Sequence, residues 1–149
     1  MPDLNIERLK IYSAEDAAQL GTLMTFLSDK FTGEPIDRDL LEAIILSPYH
    51  EQLIARMKGR VVGAATLSIT MGVAAGAKGY LEDFVLDPEV RGQGVADKVW
   101  EEMMRWCNEH DLDLNFTSRP SREAAQNFYK SHGASIKETL VFHVKPNRT

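Results

Sequence analysis

The stretch VRGQGVADKVW, residues 90–100, places two glycines between a strand-like segment and a helix-like segment. Glycine loses more backbone entropy on folding than any other residue, so a close pair in a structured region needs a reason. A helix N-terminus has unpaired N–H groups and a partial positive charge, which together favour an anion. Gly92 and Gly94 lack Cβ atoms, so a pyrophosphate can approach their amides, and Arg91 adds a fixed positive charge. The stretch therefore predicts a phosphate site, with a plain tight turn as the competing interpretation.

The spacing around the glycines excludes two other phosphate-binding motifs. A dinucleotide fingerprint needs Gly or Ala three residues after its second glycine, and here that residue is Asp97. A P-loop needs Gly-Lys followed by Ser or Thr, and this tripeptide does not occur in the sequence.

Apolar periodicity predicts a strand-rich first half followed by alternating helices and strands. Ser13, followed by Asp16, resembles a capping box, and Ser121 is the expected N-cap of the last helix. This order predicts a mixed α/β sheet. The predicted elements are strand 4–12, helix 13–29, helix 37–46, strands 52–57 and 61–70, loop 71–79, strand 80–86, helix 94–110, strand 112–116, helix 121–132 and one or two strands in 134–144.

Composition narrows the class of protein. A chain of 149 residues with 44% hydrophobic residues fits one domain with a normal core. The formal net charge of −5 argues against general nucleic-acid binding and mildly favours cationic ligands such as amines. The sequence has no apolar run of ~20 residues and no signal-peptide pattern, so we expect a cytoplasmic protein that does not enter a membrane. Cys107 is the only cysteine, which excludes an internal disulfide and predicts an inert core thiol.

Two stretches resemble the GNAT superfamily of acetyl-CoA-dependent N-acetyltransferases. The glycine stretch is similar to the family's acyl-CoA-binding signature, Arg/Gln-x-x-Gly-x-Gly/Ala. The stretch AAQNFYKSHGA is similar to its Ala-x-x-Phe-Tyr-x-x-x-Gly-Phe helix, and LEDFVL is similar to its fourth strand. The segments stand in the family's order and cover roughly residues 80–134. The matching residues are Arg91, Gly92, Gln93, Gly94, Val95 and Ala96 in the first motif, and Ala125, Phe128, Tyr129 and Gly133 in the second.

The chain departs from the family pattern at two positions. Arg122 stands where many members have an Asn that contacts the pantetheine arm of CoA. Ala134 replaces the Phe that follows the last motif glycine, a change we expect to affect packing only.

The resemblance implies a fold and a reaction. The implied fold is a single GNAT-like domain over residues 1–149, α/β (α+β), with a mixed, mostly antiparallel central sheet flanked by about four helices. The implied reaction moves an acetyl group from acetyl-CoA to a primary amine by direct attack on the thioester. The glycine motif and Arg122 would bind the cofactor, and the edge of the fourth strand, Phe84, Val85 and Leu86, would pair with the pantetheine. Lys98, Lys130 and Arg119 are candidates for the outer phosphate, with a solvated surface charge as the competing interpretation.

Proton transfer points to two catalytic candidates. Resemblance implies that Tyr129 protonates the leaving thiolate and that a backbone N–H near Phe84–Leu86, with Val85 as the candidate, polarises the thioester carbonyl. Glu82 is the candidate base for the amine, because several family members have a carboxylate on this strand. Strand alternation sends Glu82 and Asp83 to opposite faces, so only one faces the site unless a bulge intervenes. The competing interpretation of Tyr129 is packing beside Phe128, and that of Glu82 is a strand carboxylate in solvent or in an ion pair. The four histidines show no metal-ligand spacing, so no metal is expected.

Two other functional classes stay open from the sequence alone. One is a catalytically idle acyl-CoA-binding or regulatory module on the same fold, and the other is a structural domain whose glycine turn is only a turn. The sequence does not name the acceptor, which is a small-molecule amine or a protein amine. In the family the acceptor site is walled by segments that correspond here to residues 23–46 and 137–144. A homodimer through the terminal strand is a further expectation.

Overall fold

The computed structural model describes residues 3–147 and divides the chain into two compact units between Phe116 and Thr117. The first unit holds five strands and three helices, and the second holds one helix. The prediction of a single domain over residues 1–149 stays a prediction. The elements are β1 (Leu4–Arg8), α1 (Ala14–Met24), α2 (Arg38–Leu46), β2 (His50–Met57), β3 (Arg60–Gly72), β4 (Gly76–Leu86), a 3₁₀ turn (Pro88–Val90), α3 (Val95–His110), β5 (Leu114–Asn115) and α4 (Glu123–Ser131).

The sheet of the first unit follows the chain order, β1-β2-β3-β4-β5. The pairs β1–β2, β2–β3 and β3–β4 are antiparallel, and β4–β5 is parallel. Parallel neighbours need a crossover connection, which α3 supplies between β4 and β5. The mixed, mostly antiparallel sheet with four helices confirms the predicted fold class.

The predicted loop 71–79 is wrong, because most of it belongs to a long hairpin. Met71 of β3 pairs with Ala77 of β4, and Gly72 pairs with Gly76, so only residues 73–75 form the turn. The small residues of this stretch have weak intrinsic strand preference. Cross-strand pairing continued from the neighbouring residues outweighs that preference.

The predicted strands in 134–144 are also absent. Residues 134–147 contain no helix or strand, and the five strands of the described sheet all come from earlier in the chain. The sequence has strand-forming residues here, but a strand exists only when its backbone pairs with another. The large apolar side chains of this stretch are instead exposed: Ile136, Leu140, Val141, Phe142 and Val144.

Helix capping agrees with the sequence at the start of α1 and differs at α4. The Ser13 hydroxyl accepts a hydrogen bond from the N–H of Asp16 at 3.0 Å, which confirms the predicted cap. The helix ends at Met24, earlier than predicted. The N-cap of α4 is Arg122, one residue after the predicted Ser121, and it makes no side-chain capping bond.

The two faces of the sheet carry different helices. Leu20 of α1 and Leu41 of α2 pack in one buried cluster with Ile54 of β2 and Val85 of β4. Helix α3 buries Met103, Trp106 and Cys107, and it packs on β1, β2, β3 and β4. Burial raises the pKa of the Cys107 thiol, so this cysteine stays a neutral core residue at neutral pH.

Ion pairs attach α3 to the edge of the sheet. The Arg8 Nε donates to the Glu102 Oε2 at 2.7 Å, and the Arg8 Nη1 donates to the Glu109 Oε2 at 2.8 Å. Arg8 and Glu102 are mostly shielded from water. The carboxylates of Glu109 and Glu102 raise the pKa of the Arg8 guanidinium, and burial opposes them without cancelling the rise. These pairs link β1 to the middle and end of α3 and so fix the helix on the sheet.

Gly21→Ala will destabilise the first unit. A Cβ at Gly21 would lie 2.0 Å from the Glu34 carbonyl oxygen and 2.7 Å from its carbon, so backbone would have to move. We expect a loss of ~1–3 kcal/mol, as for other overpacked sites. Gly72→Ala is the matched control, because its Cβ would meet only the Ala75 Cβ at 3.7 Å. Thermal melting compares the two variants with the parent chain, and equal melting temperatures for both variants would contradict the clash.

Candidate active site

The turn before α3 needs its two glycines for backbone conformation as well as for space. Gly92 and Gly94 both have φ of +79°, in the left-handed region that other residues rarely adopt. A Cβ built on either residue would meet nothing within 4 Å. The turn is therefore left-handed at two positions and open above both.

The N-terminus of α3 has donors and no side-chain cap. Gly94 is the N-cap and supplies no side chain to accept a hydrogen bond from the first turn. Among residues 3–147, the backbone N–H groups of Gly92, Gly94, Val95 and Ala96 donate no hydrogen bond to the protein. The helix has 16 residues, so its dipole adds partial positive charge at this end. The turn thus offers the donors and the charge that an anion needs.

Neighbouring side chains shape the turn. The Gln93 amide donates to the Glu89 carbonyl at 3.2 Å, and the N–H of Arg91 donates to the Pro88 carbonyl at 3.2 Å. The Arg91 side chain is exposed and forms no ion pair within the part of the chain that the structure describes. Its guanidinium is available to an anion.

Asp87 holds the connection from β4 to the glycine turn, a role that the sequence analysis missed. Its carboxylate accepts from the N–H of Glu89 at 2.9 Å and from the Arg60 guanidinium at 2.9 Å. Burial acts to raise the pKa of Asp87, but the Glu89 amide and the Arg60 guanidinium outweigh it and hold the pKa below its ordinary value. The Asp-Pro pair in the sequence is the signal that could have identified this cap.

Strands β4 and β5 part after a short pairing. They pair only at Gly79 opposite Leu114 and at Tyr80 opposite Asn115, while β4 runs on to Leu86. Beyond Tyr80 no described residue of β5 continues the ladder. Within the first unit no strand pairs with β4 beyond Tyr80 on its β5 side; we call this edge of β4 the opening, and it ends a few residues before the glycine turn.

The register shows which amides of β4 face this opening. The N–H of Asp87 donates to the Val62 carbonyl at 2.8 Å, so residues 62 and 87 form a hydrogen-bonded pair. Hydrogen-bonded pairs alternate along an antiparallel ladder, and Ala64 is opposite Val85. The N–H of Val85 therefore faces β3, and the N–H of Leu86 faces away from it. The carbonyl donor expected among Phe84–Leu86, with Val85 as the candidate, stays a prediction, and of the two amides it is that of Leu86 that is directed away from β3.

A bulge interrupts β4 at the predicted base. The register shifts between Ala64 and Thr66, so Ala65 lies opposite both Asp83 and Phe84. Asp83 has φ of +53°, an uncommon conformation for a residue with a side chain. The bulge breaks the simple alternation of Glu82 and Asp83, and both side chains reach solvent.

The two carboxyl groups are shifted toward their neutral forms. Burial, followed by the negative charge of Asp83, raises the pKa of Glu82. Burial also raises the pKa of Asp83. No described Lys or Arg side chain offsets either shift. This is the electrostatic setting of a carboxylate that can take up a proton.

The other predicted site residues lie in the second unit. Tyr129 is half-buried in α4, and its ring meets that of Phe128 edge to face with 5.9 Å between centroids. Burial raises the pKa of Tyr129, and the Arg122 charge lowers it by a smaller amount. The phenol is therefore protonated at neutral pH. The structure thus brings Glu82 through Ala96 together in the first unit and Arg122 with Tyr129 in the second.

The candidates for the outer phosphate differ in their surroundings. Lys98 lies in α3 with its Nζ 3.5 Å from the Glu101 carboxylate, an exposed pair. Lys130 and Arg119 are exposed in the second unit. Across residues 3–147, no group of three or more His, Cys, Asp or Glu side chains is placed to hold a metal ion. None of the described helices is both long and apolar enough to cross a membrane.

Comparison with sequence families gives one match. A sequence model described as the acetyltransferase (GNAT) family matches residues 20–134, which take in part of each unit. A search of the curated proteins finds no match.

Solved structures with the same fold cover nearly the whole chain. An aminoglycoside acetyltransferase, meta-AAC0020, from an uncultured soil metagenomic sample has a TM-score of 0.79 at 20% identity, covering 99% of this chain and 98% of that one. AAC(6')-Iy in complex with the bisubstrate analog CoA-S-monomethyl-acetylneamine has a TM-score of 0.76 at 20% identity, covering 97% and 99%. Glucosamine-6-phosphate N-acetyltransferase from Arabidopsis thaliana has a TM-score of 0.74 at 21% identity, covering 95% and 97%. At these identities the likeness concerns the fold.

Proposed function

This chain belongs to the acetyltransferase (GNAT) family, and from that premise we propose that it transfers an acetyl group from acetyl-CoA to a primary amine. The observation that carries the proposal is the left-handed, uncapped turn at Gly92 and Gly94, which has free amide donors and open space above them. A turn that served only to start a helix would not need two left-handed glycines with open space above both. A cytoplasmic location stays a prediction.

The residues present fit a CoA thioester. The N–H groups of Gly92, Gly94, Val95 and Ala96 would hold the pyrophosphate, with the Arg91 guanidinium beside them. The opening along β4 would receive the pantetheine arm, where Leu86 offers an outward N–H and Phe84 and Val85 complete the strand. Arg122 would contact the cofactor in place of the Asn that many family members have there. Bound acetyl-CoA supplies an acetyl group activated as a thioester.

The chain's own groups would manage the protons. An alkylamine with a pKa near ~10.4 is almost entirely protonated at pH 7, so a base must remove its proton before attack. Glu82 is the proposed base, and its raised pKa makes it a stronger proton acceptor than an ordinary carboxylate. Its neighbour Asp83 strengthens this effect by charge repulsion. The N–H of Leu86 would stabilise negative charge on the thioester oxygen, a contribution typically of ~3 kcal/mol.

Tyr129 is the proposed acid for the leaving thiolate. A thiol pKa near ~8.5 and a phenol pKa near ~10 allow this transfer when the two groups are held together. Because burial raises the pKa of Tyr129, the phenol keeps its proton throughout the neutral range.

The acceptor is proposed to be a small-molecule amine, with a protein amine as the alternative. Solved structures of similar fold bear the names of enzymes for aminoglycosides and for glucosamine 6-phosphate, both of which are amine-bearing small molecules. The net charge of −5 and the exposed carboxyl groups of Glu82 and Asp83 suit a cationic acceptor.

Calorimetric titration tests the cofactor half of the proposal. CoA and pantetheine differ in the nucleotide and pyrophosphate, which the glycine turn is proposed to hold. We expect CoA to bind about 10–100-fold more tightly than pantetheine, because charge-assisted hydrogen bonds contribute ~1.5–3 kcal/mol. Equal affinity for the two ligands would overturn the phosphate role of the turn.

The carboxylate pair predicts a specific pH dependence. A base acts when deprotonated, so the rate of acetyl transfer rises as pH rises through the pKa of Glu82. Glu82→Gln will remove this rise of the rate with pH and will slow transfer mainly below pH ~8, where the amine is protonated. Asp83→Asn will lower the pKa of Glu82, because it removes a neighbouring charge that raises this pKa. The rise of the rate will then occur at lower pH. Asn also tolerates the positive φ at position 83.

Rates at saturating acetyl-CoA, measured across the pH range, decide between the roles. An equal loss in Glu82→Gln at every pH up to ~10 would reject the base role and indicate that Glu82 positions the substrate. If the transfer rate of Asp83→Asn rises at the same pH as that of the parent chain, the two carboxyl groups are not electrostatically coupled.

A further inference from the structure

Gln52 in β2 is a buried polar side chain that the proposed reaction does not use, with 5% of its surface exposed. Its Nε2 donates to the carbonyl oxygens of Leu53 at 3.1 Å and of Ala65 at 3.2 Å. Because a carbonyl oxygen can only accept, these two bonds determine which end of the amide carries the hydrogens. The Oε1 at the other end accepts the hydroxyl hydrogen of Thr66 in β3, with 2.7 Å between the two oxygens.

Thr66 lies between Gln52 and Glu82 in a row across three neighbouring strands. Gln52 in β2 and Glu82 in β4 are its partners in the two antiparallel ladders. Side chains directly opposite one another in such ladders lie on the same face of the sheet, with Cβ atoms about 4.5–5.5 Å apart. This is the face that carries α1 and α2, since Ala64, two residues before Thr66, packs in their buried cluster. The Thr66 hydroxyl is therefore within reach of the Glu82 side chain.

The direction of the Thr66 hydroxyl affects how strongly Glu82 holds a proton. A hydroxyl has one hydrogen to donate and two lone pairs that accept. With the hydrogen held by Gln52, only lone pairs are available on the side of Glu82. A donor stabilises an ionised carboxylate and lowers its pKa, whereas a lone pair accepts a hydrogen bond only from the protonated form. The held hydroxyl thus favours protonated Glu82, in the same direction as the burial that raises the pKa of Glu82.

We propose that Gln52 is a positioning residue for the base: it keeps the Thr66 hydroxyl hydrogen on the β2 side, withholds that donor from the Glu82 carboxylate and so keeps Glu82 a strong proton acceptor. The same amide holds the carbonyl of Ala65, which lies opposite the bulge at Asp83, so Gln52 acts on both β3 residues next to the bulge. The catalytic meaning of this arrangement rests on the proposed function, in which Glu82 is the base. The proton affinity of Glu82 is a property of the free protein and can be measured without any reaction.

Few other titratable groups surround Glu82. Strand β4 packs against β3, β5, α1 and α3, and α3 covers the other face of the sheet. Within residues 3–147, β5 has no titratable side chain and β3 has only Arg60, at its first position. On β4 itself, Lys78 and Tyr80 lie on the same face as Glu82, and the charge of Asp83 is the one that acts on it. Helix α1 has two carboxylates, both in its first turn: Glu15 and Asp16.

Carbon-detected NMR titration of the Glu82 carboxyl in the full chain tests the proposal, and Glu82→Gln identifies its signal. Gln52→Met fills the same space without holding the hydroxyl, so the Thr66 hydrogen can turn to the Glu82 carboxylate. We expect the midpoint of the Glu82 titration to fall by about 0.5–1 pH unit, the effect of one hydrogen bond near the surface. Thr66→Val removes the hydroxyl, so adding it to Gln52→Met should recover most of the parent midpoint. Thr66→Val alone should not raise the midpoint.

Gln19→Met is the matched control, because the Gln19 Oε1 also accepts a hydrogen bond from β3, the N–H of Val61 at 2.7 Å, near the start of the strand. It should lower the melting temperature and leave the Glu82 midpoint in place. An unchanged midpoint in Gln52→Met, an equal fall in Gln19→Met, or a fall that persists when Thr66→Val is added would overturn the proposal. So would a higher midpoint in Thr66→Val alone, since the hydroxyl would then already donate to Glu82 in the parent chain.

Two further measurements keep the test independent of folding and of the acceptor. Gln52→Asn, whose amide is one methylene shorter, releases the Thr66 hydroxyl in the same way and replaces Gln52→Met if that variant does not fold. With an acceptor in hand, the rise of the transfer rate with pH should move down together with the Glu82 midpoint in Gln52→Met. A midpoint that moves without the rate profile would refute Glu82 as the base and leave the link between Gln52 and Glu82 supported.

Discussion

Tyr129→Phe will lower the rate of acetyl transfer by ~10²–10⁴-fold, the usual contribution of a positioned general acid. The variant keeps the ring and its edge-to-face contact with Phe128, 5.9 Å between centroids, and removes the one proton that the side chain can give. Affinity for CoA should change little, since the proposed phosphate and pantetheine contacts come from other residues. The free energy of unfolding should fall by no more than ~1–2 kcal/mol, the effect of one hydrogen bond.

Tyr49→Phe is the matched control, because Tyr49 is an exposed tyrosine just before β2 that has no proposed part in the reaction. Its rate should equal that of the parent chain. Rates are compared under conditions where chemistry limits turnover. A loss of the general acid should leave about one hundredth of the normal rate or less. If Tyr129→Phe instead keeps more than about half of it, Tyr129 only packs and the thiolate leaves unassisted or is protonated by water.

Gly94→Val will weaken CoA binding by ~100-fold or more, while the chain still folds. No protein atom lies within 4 Å of a Cβ built on Gly94, so the Cβ of the valine meets no clash with the protein. It would instead fill the volume in which the phosphates are proposed to lie and separate them from the amides of Val95 and Ala96. The left-handed backbone adds a strain of ~1–2 kcal/mol.

Gly59→Val separates strain from ligand binding. Gly59 has φ of +77° and nothing within 4 Å of its Cβ position, but it lies in the turn between β2 and β3. Both variants should lose similar stability in thermal melting, and only Gly94→Val should lose CoA affinity in calorimetric titration. A folded Gly94→Val protein that binds CoA as tightly as the parent chain would refute the pyrophosphate role of the turn.

Local patterns predicted much of the fold. The Ser13 cap, the long amphipathic helix α3 and the hairpin between β2 and β3 depend on residues close in sequence, and the structure has all three. The glycine turn also depends on residues close in sequence, because the strand before it, its glycines and the helix after it are contiguous. Family resemblance then added the mixed, mostly antiparallel character of the sheet.

Features that depend on pairing between distant segments could not be predicted in this way. The bulge at Asp83 arises from the register of β4 against β3, and single-strand alternation gives no sign of it. The same register turns the amide of Val85 toward β3 and that of Leu86 toward the opening. Residues 136–144 have strand-forming side chains, but whether they form a strand depends on a partner that lies outside their own sequence.

The central claim, acetyl transfer to an amine, is tested most directly by following both products in one reaction. The protein is incubated with acetyl-CoA and a panel of primary amines that includes aminoglycosides, amino sugars, polyamines and peptide N-termini. Free CoA thiol and N-acetylated amine are quantified in the same samples. The account predicts that at least one amine releases thiol above the amine-free rate, with an equal amount of N-acetyl product. Tight binding of CoA with no amine-dependent thiol release across the panel would contradict it and would identify a catalytically idle acyl-CoA-binding module.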